Sequence, residues 1–220
     1  MNIRTMTNPR VQIIDYRLGN LFSIQQACQH VGLDAFVSAS TDELSSVDGI
    51  ILPGVGAYGN AMESLRELNL IEPLKQAAED GRPLMGICLG MQLLFETSEE
   101  FGSHEGLGLI SGRIQRIPDQ MQNGRRLRVP NVGWNRVSFA DRPDRGSILD
   151  GVADGEFMYF VHTFCAQDVP EVDQLTMTQY GEFRYCSAVL RENILGCQFH
   201  PEKSAQAGLR LYENWAKSLQ

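Results

Sequence analysis

The sequence predicts an α/β fold: one domain with a central, mostly parallel sheet between layers of helix, and extra antiparallel strands in its second half. Two patterns predict it. In the first half, short and nearly continuous apolar runs alternate with helix-like segments, as in parallel sheets buried on both faces. In the second half, apolar and polar residues alternate, as in half-exposed strands. A chain of 220 residues suits a single domain over 1–220. Burying roughly 70% of its unfolded surface lets it fold without disulfides.

The polar residues 1–10 are expected to form a flexible extension. "VQIID" (11–15) reads as the first strand, followed by a helix over 21–31. "AFVSA" (35–39) and "GIIL" (49–52) are further strands, and a longer helical region spans roughly 60–80. "PLMGI" (83–87) is then a strand and 89–96 a helix. Beyond residue 110, "RIQRIP", "RRLRVP" and "NRVSF" alternate, and "FMYFVHTF", "QLTMTQY", "YCSAVL" and "ILGCQF" continue the β-rich run. "AQAGLRLYENWAKSL" closes the chain as an amphipathic helix.

Composition narrows the function classes. A net charge of −8 argues against a general nucleic-acid binder, which needs a basic face to neutralise phosphates. The densest basic cluster, Arg125, Arg126 and Arg128, reads either as a docking patch or as a solvated strand edge. Five cysteines without a CxxC pair match neither a zinc framework nor a secreted disulfide scaffold. The polar N-terminus lacks the apolar core of a signal peptide, and no apolar run is long enough to cross a bilayer. A reducing cytoplasm with free thiols is the expected setting.

The stretch "GICLG" places Cys88 between a strand and a helix, with glycine two residues before and two after. That is the layout of a nucleophile elbow, which presents its central side chain beside a helix N-terminus. A buried structural cysteine is the competing reading. A nucleophile needs a base, and "CQFHPEKS" offers His200 at a strand end with Glu202 two residues on, placed to orient the imidazole. A lone histidine reads as a core or loop residue; His-Pro-Glu at a strand end, combined with the elbow cysteine, shifts the reading of His200 to a base. The loop "LPGVGAYGN" (52–60) follows a buried strand; an amide of Val55 or Gly56, paired with that of Leu89, forms a candidate oxyanion hole. It also reads as a plain turn, and lacks the Lys-Ser/Thr of a phosphate loop.

Together these motifs resemble the class I (triad) glutamine amidotransferases, and within them the glutaminase subunits of imidazole glycerol phosphate synthases. The resemblance runs from "DYRLGN" through "LPGVGAYGNA", "GICLGMQLLFETSEE", "GLGLISG", "VPNVGWN" and "YFVHTF" to "GCQFHPEKS". It implies a flavodoxin-like, three-layer fold and glutamine as substrate, with no metal and no cofactor. Cys88 would attack the glutamine amide, His200 would move the protons and Glu202 would orient it. Gly54 and Gly56 would frame the substrate and Gln92 would hydrogen-bond it. Glu100 would take the α-amino group, and His162, Thr163 and Phe164 would form the opposite rim, mainly through backbone.

The resemblance further implies a heterodimer with a (β/α)8-barrel cyclase of histidine biosynthesis, faced by Asn20, Trp134 and Tyr159. That partner would receive the ammonia and make imidazole glycerol phosphate and an aminoimidazole carboxamide ribotide. Paralogues feed nucleotide-sugar or surface-polysaccharide amidotransferases, which gives an alternative client. The chain departs from the family at Arg17, where Gly is usual, and at Asn131, where His is usual. Thr163, Phe164 and Cys165 replace a more usual Ser-Tyr-Tyr.

Overall fold

Strand β1 (Arg10–Ile14) starts one residue before the apolar run. The Arg10 amide donates to the Asp48 carboxylate at 2.7 Å and its guanidinium to Glu43 at 2.8 Å. The Pro9 carbonyl also accepts from the Asp34 amide, so the end of the expected extension is tied to the sheet rather than free. The computed structural model describes residues 8–119, 121–122, 125–142 and 147–219. Positions 1–7 of the extension lie outside the described residues.

Helix α1 (Leu21–His30), β2 (Asp34–Ser38) and β3 (Gly49–Leu52) follow the expected order. The long helical region divides into α2 (Tyr58–Glu67) and α3 (Ile71–Glu79). The break falls at Asn69, whose φ of 53° lies in the left-handed region that asparagine tolerates better than most residues. Strand β4 (Leu84–Ile87) leads to α4 (Leu89–Leu93), which stops short of the expected Glu96. The Leu94 carbonyl accepts instead from the Leu109 and Ile110 amides, and Phe95 opens a strand, β5 (Phe95–Ser98). A short apolar run carries no period that separates these outcomes.

The second half contains β6 (His104–Glu105), β7 (Ile110–Arg116), β8 (Met121–Gln122), β9 (Arg125–Arg126) and β10 (Asn131–Phe139). Next come β11 (Glu156–His162), β12 (Phe164–Gln167), β13 (Gln174–Tyr180), β14 (Phe183–Arg191), β15 (Ile194–Cys197) and α5 (Ala205–Ser218). "RRLRVP" forms no full strand; only its first two residues pair, with β8. "FMYFVHTF" breaks at Thr163, because β11 pairs with β10 whereas β12 pairs with β7 and β14.

The strands β2-β1-β3-β4-β15 form a parallel block, continued by β14, β12, β7, β5 and β6. Antiparallel β13 and β10 carry β11 out from β14. Alternate strand residues feed the two faces: Val11, Ile13 and Met85 pack with Ile24 and Trp215, while Ile50, Leu52 and Leu84 pack with Leu65 and Leu74. No helix among the described residues is long and apolar enough to cross a membrane. Cys88, the 53–57 loop and His200 all emerge at the carboxyl ends of β4, β3 and β15, the end where open α/β sheets bind ligands.

The opposite end is closed by Asn193, whose amide donates to the Ala78 carbonyl at 2.9 Å and the Arg82 carbonyl at 2.7 Å. Asn193→Ala strips both carbonyls of this donor and should cost about 2 kcal/mol. Urea unfolding reads that loss, and thiol reactivity at the far end of the sheet should stay unchanged.

Candidate active site

Cys88 occupies the turn between β4 and α4 with φ 55° and ψ −110°, a conformation that a non-glycine residue holds at a cost of about 1–3 kcal/mol. Its amide donates to the Cys197 carbonyl of β15 at 2.7 Å, which pins the turn to the neighbouring strand. Gly90 explains the spacing. A Cβ there would stand 1.8 Å from the Leu52 carbonyl oxygen, so only glycine lets the start of α4 lie against the end of β3.

Both readings of Cys88 are partly met, because it is buried and also reaches a cavity. The side chain is 6% exposed, yet it lines a cavity of about 290 Å³ at the carboxyl end of the sheet. The other four cysteines are buried free thiols away from that cavity. Burial pushes Cys28, Cys165 and Cys186 up to about 12 and raises Cys197 as well, which keeps them protonated and unreactive.

His200 faces the same cavity. Its Nδ1 meets Glu202 Oε1 at 2.8 Å, with the Glu202 side chain wholly buried behind it. Its backbone is clamped as well: the amide donates to the Tyr159 carbonyl at 2.9 Å, and its carbonyl accepts from Ser204 Oγ at 2.6 Å. Burial pulls the imidazole towards neutrality, but hydrogen bonds to Cys88 and Glu202, with their charges, outweigh it and raise His200 to about 10. An imidazole so placed is set to take the thiol proton, with the Glu202 carboxylate stabilising the imidazolium that forms.

The remaining walls gather most of the residues expected to bind substrate: Val55, Gly56, Leu89, Gln92, Glu100, His162, Thr163 and Phe164. Leu89 opens α4, so its amide has no partner within the helix. The amides of Val55 and Gly56 donate to no backbone group recorded among the described residues. Glu100 is steered by α2, whose first amide, Tyr58 N–H, donates to its Oε2 at 2.6 Å. Glu202 and Gly54 are not on the wall. Gly54 is packed behind it, where a Cβ would lie 2.4 Å from the Tyr16 hydroxyl.

Gln92 differs from its expected role in one respect. Its amide nitrogen is already committed, to the Phe164 carbonyl and to Gln198 Oε1, each at 2.9 Å. Its own carbonyl oxygen is the group left for a ligand. His162 is a buried brace more than a rim residue: Nδ1 donates to the Phe164 carbonyl at 2.8 Å. That carbonyl only accepts, so Nε2 is unprotonated and takes the Tyr185 hydroxyl at 3.0 Å, with Asn131 Nδ2 beyond at 3.4 Å.

Sequence reasoning missed Pro130 and Val161, which complete the wall, and Tyr16, whose hydroxyl donates to the Pro53 carbonyl at 2.7 Å and fixes the loop. Pro130 and Val161 sit inside quoted motifs but carry no chemistry of their own. Tyr16 adjoins Arg17 in "DYRLGN", and its polar tip was the available signal.

The departures fall into two groups. Arg17 adopts φ 72°, where glycine is unstrained, and pairs with Glu67 at 2.9 Å. Asn131 is buried and hydrogen-bonds Tyr185, while Cys165 is buried off the cavity. Of the arginine cluster, Arg126 pairs with Asp119, the Arg128 carbonyl accepts from the Tyr180 hydroxyl at 2.6 Å, and the Arg125 side chain lies outside the described residues. Asn20 and Tyr159 lie at the same end of the sheet as the cavity, Asn20 just before α1 and Tyr159 in β11, beside Trp134 in β10.

An elbow cysteine, a carboxylate-oriented histidine and backbone amides around one cavity define a thiol-dependent acyl-transfer enzyme. The family model for class-I glutamine amidotransferases matches residues 12–218, and the chain belongs to that family. It is 44% identical to the imidazole glycerol phosphate synthase subunit HisH of Sulfurimonas denitrificans, over 94% of this chain and 97% of that one. The subunit of the same name from Aquifex aeolicus is 41% identical over 96% of this chain and 98% of its own. Among solved structures, PurLQS from Thermotoga maritima has the same fold, with a TM-score of 0.73 at 20% identity, covering 97% of this chain and 100% of that chain.

The His162 brace makes stability depend on pH. Burial, with His200 beside it, depresses His162 to about 4 despite the Phe164 bond, against an ordinary 6.5. The unfolded chain therefore takes up a proton below 6.5 that the folded chain refuses until about 4. Stability falls across that window as the pH falls, by up to about 3 kcal/mol. In thermal melts His162→Gln should flatten the decline; an unchanged slope would contradict a neutral brace.

Proposed function

We propose that this chain is the glutaminase subunit of an imidazole glycerol phosphate synthase, hydrolysing glutamine and delivering ammonia to a (β/α)8-barrel cyclase of histidine biosynthesis. The observation that carries the chemistry is the meeting of Cys88 and His200 at one cavity beside Leu89, with buried Glu202 bonded to the imidazole from behind. Similarity to the HisH subunits over nearly the whole chain supports the pathway.

Glutamine enters with its α-ammonium on Glu100 and its side-chain amide over Cys88. The sulfur attacks the amide carbon as the thiol proton passes to His200. Negative charge gathers on the carbonyl oxygen, within reach of the Leu89 amide and a Val55 or Gly56 amide. Collapse breaks the C–N bond, His200 protonates the leaving nitrogen, and ammonia departs from a γ-glutamyl thioester. His200 then takes a proton from water as the water attacks the thioester, and glutamate leaves with the thiol restored.

The docking surface we assign to the cyclase is the outward face of the β10–β11 ladder. Val132 pairs with Val161 and Trp134 with Tyr159, while Phe157 sits opposite Arg136. Val132, Trp134, Phe157 and Val161 are 58%, 50%, 42% and 39% exposed, an apolar patch that reaches the cavity rim at Val161.

Cys88→Ala should lower glutamine-dependent synthesis by the chain and cyclase together at least about a thousandfold. Added ammonium should still support the cyclase. Retained glutamine turnover would refute the nucleophile, and no stimulation by the cyclase would point to another client. Trp134→Asp should weaken cyclase binding about 30-fold by calorimetry, the loss of one aromatic anchor.

A further inference from the structure

Gln198 stands between the two cavity residues Gln92 and Cys88 and is itself wholly buried at the end of β15. Its Oε1 accepts from Gln92 Nε2 at 2.9 Å, and its Nε2 donates to Cys88 Sγ at 3.8 Å, a length suited to a sulfur acceptor. We infer that Gln198 is a positioning residue for the nucleophile, its side-chain amide locking Cys88 Sγ and the substrate-facing Gln92 into one register. The inference rests on the reading of Cys88 as the nucleophile.

The direction of this ladder is fixed by one group. The Phe164 carbonyl can only accept, and it takes both His162 Nδ1–H and Gln92 Nε2–H. Gln92 must therefore point its nitrogen that way. The atom of Gln198 that meets the same nitrogen must be its oxygen, which leaves the Gln198 N–H₂ facing the sulfur. Flipping Gln92 would set acceptor against acceptor, and flipping Gln198 would set donor against donor, inside a buried network.

Cys88 Sγ also donates to the Val161 carbonyl at 3.7 Å. The two contacts have opposite sense. The Val161 carbonyl holds the neutral thiol and is repelled once the sulfur is charged. The Gln198 donor strengthens as charge builds on sulfur, and a charge-assisted bond is roughly twice as strong as a neutral one. Gln198 thus favours the attacking form of Cys88 over its resting form, the kind of difference that raises kcat more than it tightens binding.

Gln198→Met keeps length and apolar bulk while removing both functions. Alkylation of Cys88 by iodoacetamide, a reagent that needs no glutamine site, should slow about tenfold, and glutaminase kcat with the cyclase should fall by more than KM rises. Asn193→Ala serves as the control, destabilised at the far end of the sheet with unchanged alkylation. A Gln198→Met rate within twofold of the unaltered chain overturns the inference. Should that variant not fold, the side-chain amide resonance of Gln198 decides: removing its acceptor in Cys88→Ala should shift it, and an unmoved resonance overturns the inference. If Cys88 in the unaltered chain alkylates no faster than the other four cysteines, the nucleophile reading itself fails.

Discussion

The site depends on a backbone contact with no side chain in it, the seating of Gly90 against the Leu52 carbonyl. That contact brings the start of α4 to the end of β3. Two strands that already lie side by side in a parallel sheet then deliver their loops to one point, the 53–57 loop from β3 and the Cys88 turn from β4. Any Cβ at position 90 would have to push the helix away, and the Leu89 amide and the Cys88 sulfur would move with it. Tyr16 secures the other side of the junction through the Pro53 carbonyl. The strain of a cysteine at positive φ is held by these constraints, since the turn has no freedom to relax without parting β4 from β15.

Around that junction, two buried histidines have their proton affinities shifted in opposite directions. His200 is raised by its bonds to a thiol and a carboxylate, against burial; His162 is depressed by burial, against its bond to the Phe164 carbonyl. The separation matters, because an imidazolium at His162 would repel the one that forms at His200, and the two interact. Keeping His162 neutral also fixes which of its nitrogens donates. That choice sets the Phe164 carbonyl, and through it the orientation of Gln92. Burial decides at His162, whereas at His200 the hydrogen-bond partners override it.

Much of this could be read in the chain. The parallel half was legible because buried strands such as "GIIL" are continuous apolar runs, and "GICLG" and "CQFHPEKS" announce their geometry through glycine and proline. The fold class and the family followed from those stretches. What stayed hidden was decided by distant partners. The end of α4 is set by amides of Leu109 and Ile110, which no local pattern around Phe95 reveals. The break of "FMYFVHTF" at Thr163 follows from β12 finding neighbours that β11 does not have. His162 was assigned to the rim, yet it acts mainly as a brace, because Tyr185 and Asn131 reach it from other strands. Gln198 gave no signal at all: a glutamine in an apolar strand end acquires meaning only when Gln92 and Cys88 are seen on either side.

Strand β11 joins the chemistry to the proposed docking face. Its inward side chains include His162, and its outward ones, Tyr159 and Val161, belong to the apolar patch. Its backbone touches both reacting residues, since the Val161 carbonyl accepts from Cys88 and the Tyr159 carbonyl from the His200 amide. The proposed docking face and the residues Cys88 and His200 are therefore joined through the peptides of one strand. The Val161 carbonyl can accept only from a protonated sulfur, so this contact is lost when the sulfur is charged.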